Sequence, residues 1–352
     1  MDRGMPPRVT YWTGTWDPAK EAISKEVDAL RIASRARASV VSFSLAQSTR
    51  ILPRDRVIML SGRAWLALRG VAAMLEPRGD VTHVFGGRSS WHLLRALGRR
   101  PILLTAAVLS KGVGGLPHTN IARVVIESET ALGEWTEAGI PRGRIELIRP
   151  GIDLEWYRPA PARSQNRFTL LFASTPSDAT EMAPRGIPLL VELARLRPLI
   201  DIVVPWREWG DIGAARQALE ALRPPSNFIV KFGDVADMRS QYADAHATVV
   251  CFDRIGKTCP SFVIEGLAAG RPCISTEGIG LAGDLSRSGA GIVVPRDVAA
   301  LAVAVDQLRM GWAGFSARAR QLAEELFDLR TFLTRYDQLY REIISDSGSK
   351  RR

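Results

Sequence analysis

Short β-branched runs alternate with longer stretches of helical periodicity from the start of the chain. RVTYW, the helical stretch KEAISKEVDALRIASRA and then SVVSFSL form a βαβ opening. The alternation continues through DRVIML, WLALRGVAAML, DVTHVF, SSWHLLRAL, PILLT, ARVVIES and ETALGEWTEAG, and closes at RIELIRP. Strands that alternate with helices predict a parallel sheet covered on both faces. PGIDLEWYRPAPARSQNR, rich in proline and polar residues, reads as an interdomain linker. Beyond it the pattern restarts with strand FTLLFAS, helix IPLLVELARL, strand LIDIVVP, helix IGAARQALEAL and strand NFIVKFG. A short helix DMRSQYADA, strand ATVVCF, helix SFVIEGLAAG, strand RPCIST and helix VAALAVAVDQLRM complete it. A last helix, LRTFLTRYDQLYREII, stands beyond the second sheet and suits either domain, and the polar tail SDSGSKRR follows.

The expected fold is therefore α/β, with two Rossmann-like, doubly wound parallel-sheet domains. The first spans 1–158 and the second 159–325, with a final helix over 326–346 and a disordered tail over 347–352. A chain of 352 residues exceeds what a single core serves. Such sheets bind ligands at the carboxyl ends of their strands, so small-molecule chemistry in an interdomain cleft is the default expectation. Hydrophobic residues at 46% and charged residues at 24% match folded proteins. Cys251, Cys259 and Cys273 match neither a zinc nor a redox spacing and read as reduced thiols. Apolar runs such as PILLTAAVL fall short of the roughly 20 residues that span a bilayer, and MDRGMPPR lacks a signal-peptide core. The expected location is the cytoplasm, with peripheral contact at the inner membrane face as a further option.

Charge alters this picture by its placement. Residues 1–150 carry 22 Lys and Arg against 13 Asp and Glu, hence +9, while the remainder, 25 against 24, carries +1. A basic first half suits an anionic partner, either a phospholipid surface or a phosphate-bearing acceptor. Nucleic acid is not expected, because the arginines are dispersed and no nucleic-acid-binding motif accompanies them. Solubility alone explains the asymmetry equally well.

Two passages carry candidate chemistry. After RVTYW come Thr13, Gly14, Thr15 and Trp16, leading to a helix near Pro18. A glycine there lets backbone approach a ligand, and a helix N-terminus favours an anion. A structural βα turn fits the same residues, and GxGxxG is absent. In PSFVIEGLAAGRP, Pro260 presets the first helical turn and Gly270 ends the helix. Amides near Ser261, Phe262 and Val263 would donate to a diphosphate, and Glu265 would accept from a ribose diol or, more simply, satisfy the helix dipole.

Several passages in order resemble the retaining glycosyltransferases of family 4: RIELIRPGIDLEWYRP, FGDVADMRSQYADAHATVV, TCPSFVIEGLAAGRPCIST and GAGIVVPRDVAALAVAVDQL, with DVTHVF in the first half. The resemblance implies the GT-B architecture, with the last helix crossing back onto the N-terminal, acceptor-binding domain. It also implies retained anomeric configuration, no metal and no cofactor beyond the nucleoside-diphosphate-sugar substrate. The acceptor would be a glycan, a lipid-linked compound or a small molecule, in polysaccharide or glycoconjugate synthesis. It makes Glu265 the second glutamate of the paired-glutamate motif, sets Gly14 on the loop facing the reacting sugar, and puts Arg185 in place of the lysine that grips the diphosphate. Arginine keeps the charge and adds a bidentate fork.

The chain departs from that pattern in places. Lys257 stands where the first glutamate contacts the transferred sugar, and a lysine accepts no hydrogen bond. It suits the diphosphate or the carboxylate of an acidic sugar. Ser174 and Thr175 replace another basic residue, whose charge Arg207 is placed to supply. Ala106 and Ala107 stand where an acceptor-side histidine is common, and His83 reads as a structural histidine at a strand end. His92, His118 and His246 show no metal spacing. Lys231, Phe232 and Gly233 are the expected contacts of the base. Arg185, Lys257 and Glu265 thus form the expected reaction centre. Alternatives on the same scaffold are a nucleotide-sugar epimerase, a phosphorylase, and a partner subunit that binds without turnover.

Overall fold

The computed structural model describes residues 5–45, 47–108, 113–116, 120–160, 167–253 and 258–349. The chain divides into two compact units, one of Met1–Gly151, Gly256–Thr258 and Leu329–Arg352, the other of Ile152–Ile255 and Cys259–Asp328.

The first unit holds β1 (Arg8–Thr13), α1 (Ala22–Ala33), β2 (Arg37–Ser44), β3 (Arg50–Leu52), β4 (Val57–Ser61), α2 (Trp65–Leu75) and β5 (Val81–Gly86). It continues with α3 (Trp91–Ala96), β6 (Ile102–Ala106), β7 (Ile121–Ile126), α4 (Leu132–Glu137) and β8 (Ile145–Leu147). Its sheet runs β3-β4-β2-β1-β5-β6-β7-β8, parallel except for β3. The second unit holds β9 (Phe168–Leu171), α5 (Ile187–Leu196), β10 (Ile200–Trp206), α6 (Ile212–Ala221), β11 (Phe228–Phe232), α7 (Met238–Asp244) and β12 (Ala247–Val250). It closes with α8 (Ser261–Ala268), β13 (Cys273–Thr276), α9 (Ala282–Ser288), β14 (Gly291–Val294), α10 (Val298–Met310) and α11 (Trp312–Leu326). Its parallel sheet runs β11-β10-β9-β12-β13-β14. In each sheet the strand order reverses next to the first strand, at β1/β5 and at β9/β12. Loops on either side of such a point leave on opposite faces and open a crevice.

The division falls at Gly151/Ile152, not at 158/159. Ile152, Leu154 and Tyr157 pack against the second core, and the Ile152 amide donates to the Phe327 carbonyl at 2.7 Å. The last helix, α12 (Leu329–Ser349), belongs to the first unit. Phe332, Tyr336, Leu339, Tyr340 and Ile343 recur at three- and four-residue spacing and bury one stripe against Val9, Tyr11 and Phe85. The helix reaches Ser349, past the expected start of the tail at 347, and the Ser347 hydroxyl donates to the Ile343 carbonyl at 2.7 Å.

Further elements differ from the sequence reading. α11 buries only Ala319, Leu322 and Ala323, a stripe too narrow to stand out among its charged residues. α9 is short and follows a glycine-rich turn, and β14 is a half-buried edge strand within what reads as a loop. α1 starts at Ala22, four residues after Pro18. The Glu21 carboxylate accepts from the amides of Ile23 (3.1 Å) and Ser24 (2.6 Å), so this helix N-terminus already holds its own anion.

His83 lies in the middle of β5, fully buried, not at the strand end. Its ring nitrogens meet the hydroxyls of Tyr340 and Thr105, each at 2.8 Å. Thr105 also meets Tyr336 (2.9 Å), and Tyr340 donates to Tyr11 (3.1 Å), so one polar network ties α12 to the sheet. Burial holds the imidazole well below its ordinary value of 6.5. The unfolded chain therefore takes up a proton below about pH 6.5 that the folded chain refuses, and stability falls as pH falls. Wild type is expected to lose its advantage over His83→Gln by about 1.4 kcal/mol per pH unit once well below pH 6.5. Urea unfolding at pH 7, 6 and 5 measures this, and a pH-independent difference would refute it.

Candidate functional site

The loops at the carboxyl ends of β9, β10 and β12 gather most of the candidate donor residues. Arg185 lies just before α5. Its Nε donates to Glu181 Oε2 at 2.9 Å and its Nη1 to Ser174 Oγ at 2.6 Å. Ser174, which stands where a basic residue is expected, thus helps to hold Arg185. Glu181 Oε2 also accepts from the Ser177 amide at 2.9 Å. Burial works to raise the Glu181 pKa, but the bonds from Arg185 and Ser177 outweigh it and hold the carboxylate below its ordinary value. The guanidinium of Arg207 lies 4.9 Å from the centroid of the Trp209 ring, and that of Arg185 lies 5.9 Å from the same ring. A half-exposed indole therefore brings two cations from two different loops to one place.

Two glycines fix these loops. Gly186 has φ +82°, and a Cβ there would lie 2.4 Å from the Cys251 carbonyl oxygen, so the start of α5 sits directly on the strand end of β12. Gly210 has φ +71°, and its Cβ would lie 2.4 Å from the Ser177 oxygen, which seats the Trp209 loop on the Ser174–Ser177 loop. Arg296, after β14, adds a clasp by donating to the carbonyls of Cys251 (3.0 Å) and Ala183 (2.5 Å). Burial pushes the thiols of Cys251 and Cys273 up to about 12, so neither is a nucleophile at neutral pH.

α8 follows β12, against whose strand end the start of α5 sits. Pro260 is its N-cap, and the Val263 amide donates to the Pro260 carbonyl at 3.0 Å. The amide of Val263 is thus occupied by the helix itself, and the first-turn donors left for a ligand are those of Ser261 and Phe262. The side chains of Phe262 and Val263 are core, Phe262 meeting Phe172 edge-on at 6.0 Å. Glu265, one turn on, is 4% exposed and turned sideways, accepting from the Tyr242 hydroxyl at 2.8 Å. That hydroxyl also reaches the Phe262 carbonyl at 3.0 Å. Tyr157 packs on Tyr242 at 5.9 Å, and burial, reinforced by the Glu265 charge, raises the pKa of both phenols. The carboxylate is held by a tyrosine inside the unit, and the simple picture of a residue satisfying the helix dipole is incomplete. Lys257 lies outside the described residues, as does His118.

Lys231 and Phe232 end β11, where Phe232 pairs in register with Trp206 of β10. Both are exposed, and the Phe232 ring lies 5.8 Å from Trp206 with Arg216 at 4.1 Å over its face. Gly233 follows with φ +112°. These residues share the strand-end edge with Arg207, one strand further out.

In the first unit, Thr13 and Trp16 are buried and Thr15 is exposed. The Gly14 carbonyl accepts from the Phe43 amide at 2.9 Å, while a Cβ on Gly14 would meet nothing within 4 Å. The open space beside Gly14 leaves room for a ligand. Across the reversal point, Gly86 ends β5 and Gly87 follows it. A Cβ on Gly87 would lie 2.4 Å from the Val108 oxygen, a constraint that the sequence reading did not single out. Ala106 and Ala107 are buried and offer no polar group. His246 is committed to the Thr169 amide (3.1 Å). No group of three or more His, Cys, Asp or Glu among the described residues is arranged to hold a metal ion.

The residues that sequence reading missed here are Glu181, Trp209 and Tyr242. An i, i+4 Glu-Arg pair is visible as Glu181 and Arg185, but Trp209 and Tyr242 reach their partners only through the sheet order.

Residues 206–310 match the family model described as glycosyl transferases group 1. No curated protein matches the chain by sequence. Among solved structures, Anabaena HepE in complex with UDP and glucose is 13% identical with TM-score 0.73, over 95% of this chain and 99% of that one. Sucrose-phosphate synthase from Thermosynechococcus elongatus is 18% identical with TM-score 0.72, over 96% and 100%. WaaG, a glycosyltransferase involved in lipopolysaccharide biosynthesis, is 14% identical with TM-score 0.69, over 94% and 99%. The fold is that of the GT-B glycosyltransferases.

Proposed function

We propose that this protein is a glycosyltransferase that moves a sugar from a nucleoside-diphosphate-sugar donor to an acceptor with retained configuration. The observation that carries this reading is the pair Arg185 and Arg207 around Trp209, on the loops that follow the neighbouring strands β9 and β10. The group 1 family match over residues 206–310 and the UDP-bound neighbours support the same choice.

In this mechanism the second unit binds the nucleotide. Arg185 offers a fixed guanidinium fork to the diphosphate, Arg207 adds a second charge, and the amides of Ser261 and Phe262 complete an anion site. Charge that develops on the departing diphosphate meets donors that need no reorganisation. The leaving phosphate takes the acceptor proton on the same face, so no carboxylate serves as base. Gly14, in the first unit, leaves space for the acceptor. Lys257 takes the diphosphate or an acidic sugar, and the exposed end of β11 meets the base.

Glu265, oriented by Tyr242, holds the ribose. Glu265→Ala is expected to remove a charge-assisted hydrogen bond worth about 1.5–3 kcal/mol, weakening nucleotide affinity accordingly. Thermal midpoint and affinity are measured together, because the same variant strips Tyr242 of its acceptor. A lower midpoint with unchanged affinity would leave Glu265 a purely structural role.

The function itself is tested by incubating the protein with a panel of nucleotide sugars and separating products by chromatography. Diphosphate release, with a product of retained configuration, is expected. Binding without turnover would make the chain a partner subunit, and sugar isomerisation would make it an epimerase.

A further inference from the structure

The edge of the first sheet opposite the Gly14 loop carries a charge pattern that the nucleotide reading does not use. Arginines stand at or just before the first residues of six parallel strands: Arg8, Arg37, Arg56, Arg78, Arg100 and Arg144 for β1, β2, β4, β5, β6 and β8. A parallel sheet brings all these positions to one edge. The carboxylates in the same turns are few. Asp80 pairs with Arg8 at 2.8 Å, Asp55 is exposed, and Glu76 is buried, its Oε1 accepting from the amides of Gly98, Arg99 and Arg100.

Some of these arginines have an internal task. Arg78 and Arg100 donate to the carbonyls of Met74 (2.6 Å) and Pro77 (2.7 Å), as cations do near a helix end. Arg37 and Arg56 are different, because both are exposed and no hydrogen bond or ion pair engages their side chains among the described residues. Arg56 also holds φ +54°, a conformation that glycine adopts at less cost.

A cavity of about 420 Å³ opens between these arginines, with Arg8, Arg37, Arg56 and Arg78 around it and Ile51 and Leu75 among its apolar lining. Exposed apolar side chains cluster on the same side: Ile51 at 66% and Leu52 on the edge strand β3, Met74 at the end of α2, and Met5 ahead of β1. Cations interleaved with exposed aliphatic groups suit a surface with anionic headgroups above acyl chains. The segments leading into β1, β2 and β4 carry no aromatic ring on which a nucleic-acid base would stack.

We propose that this edge is a docking surface for an anionic phospholipid bilayer, with Arg37 and Arg56 at the headgroup phosphates and Ile51 and Leu52 among the acyl chains. The surface lies at the other end of the strands from the Gly14 loop, so it stands independently of the nucleotide reading.

Sedimentation with vesicles tests it, using pure phosphatidylcholine against phosphatidylcholine with about one-third phosphatidylglycerol. Binding only to the anionic vesicles, weakened by salt, is expected. Each arginine near such a surface is worth roughly fivefold in partitioning, so the double variant Arg37→Glu, Arg56→Glu should lose at least about 25-fold. Ile51→Asp should also weaken sedimentation, with circular dichroism and nucleotide affinity unchanged in both variants. Absence of salt-sensitive sedimentation, or variants that sediment like wild type, would overturn the proposal. Equal loss of heparin binding in the arginine variant with no effect of Ile51→Asp on vesicles would overturn it too, assigning the edge to a soluble polyanion.

Discussion

Replacing Arg185 with alanine is expected to lower turnover by about two to three orders of magnitude, the loss typical when one fixed donor to developing charge is removed. The expectation rests on how the guanidinium is held. Glu181 and Ser174 bond two of its nitrogens, and Gly186 sets the backbone behind it, so little side-chain freedom remains to be lost when charge appears. Lysine keeps the charge but neither the fork nor the bond geometry, and Arg185→Lys should fall between wild type and alanine. Diphosphate release at saturating donor gives kcat for the three proteins. Turnover of Arg185→Ala within threefold of wild type would remove this residue from the mechanism.

The second large effect is on stability. Gly186→Ala is expected to destabilise the second unit by about 3 kcal/mol or more, combining a left-handed backbone conformation with a core clash. At φ +82° an L residue is strained, and the new Cβ would lie 2.4 Å from a backbone oxygen and 2.5 Å from the Cys251 Cβ, neither the end of a flexible side chain. Relief requires the start of α5 to lift from β12, carrying Arg185 with it. Denaturant unfolding reads the loss, and a change under about 1 kcal/mol would show that the contact is softer than its geometry indicates.

The alternation of strands and helices was legible because each buried element repeats its apolar residues at its own period. IPLLVELARL is α5 from first residue to last, with Ile187, Leu190, Val191 and Ala194 buried at helical spacing. α11 was illegible because its buried stripe is mostly alanine, and β3 because all three of its residues are exposed. In the site, Arg185 was singled out only through the resemblance, which sets it in place of the lysine that grips the diphosphate. Trp209 was not, since it meets Arg185 only because β9 and β10 are neighbours in the sheet. Tyr242 meets Glu265 only because α7 and α8 are brought together around β12. Such pairings follow from strand order, which periodicity does not encode.

A nucleoside diphosphate is expected to bind the second unit at Arg185, Arg207 and the first turn of α8. Calorimetric titration of nucleoside diphosphates into wild type and into Arg185→Ala measures it directly. Binding of at least one diphosphate to wild type, weakened roughly 10- to 150-fold in the variant, is the predicted result. Equal affinity in the two proteins, or no binding of any diphosphate to wild type, would contradict it.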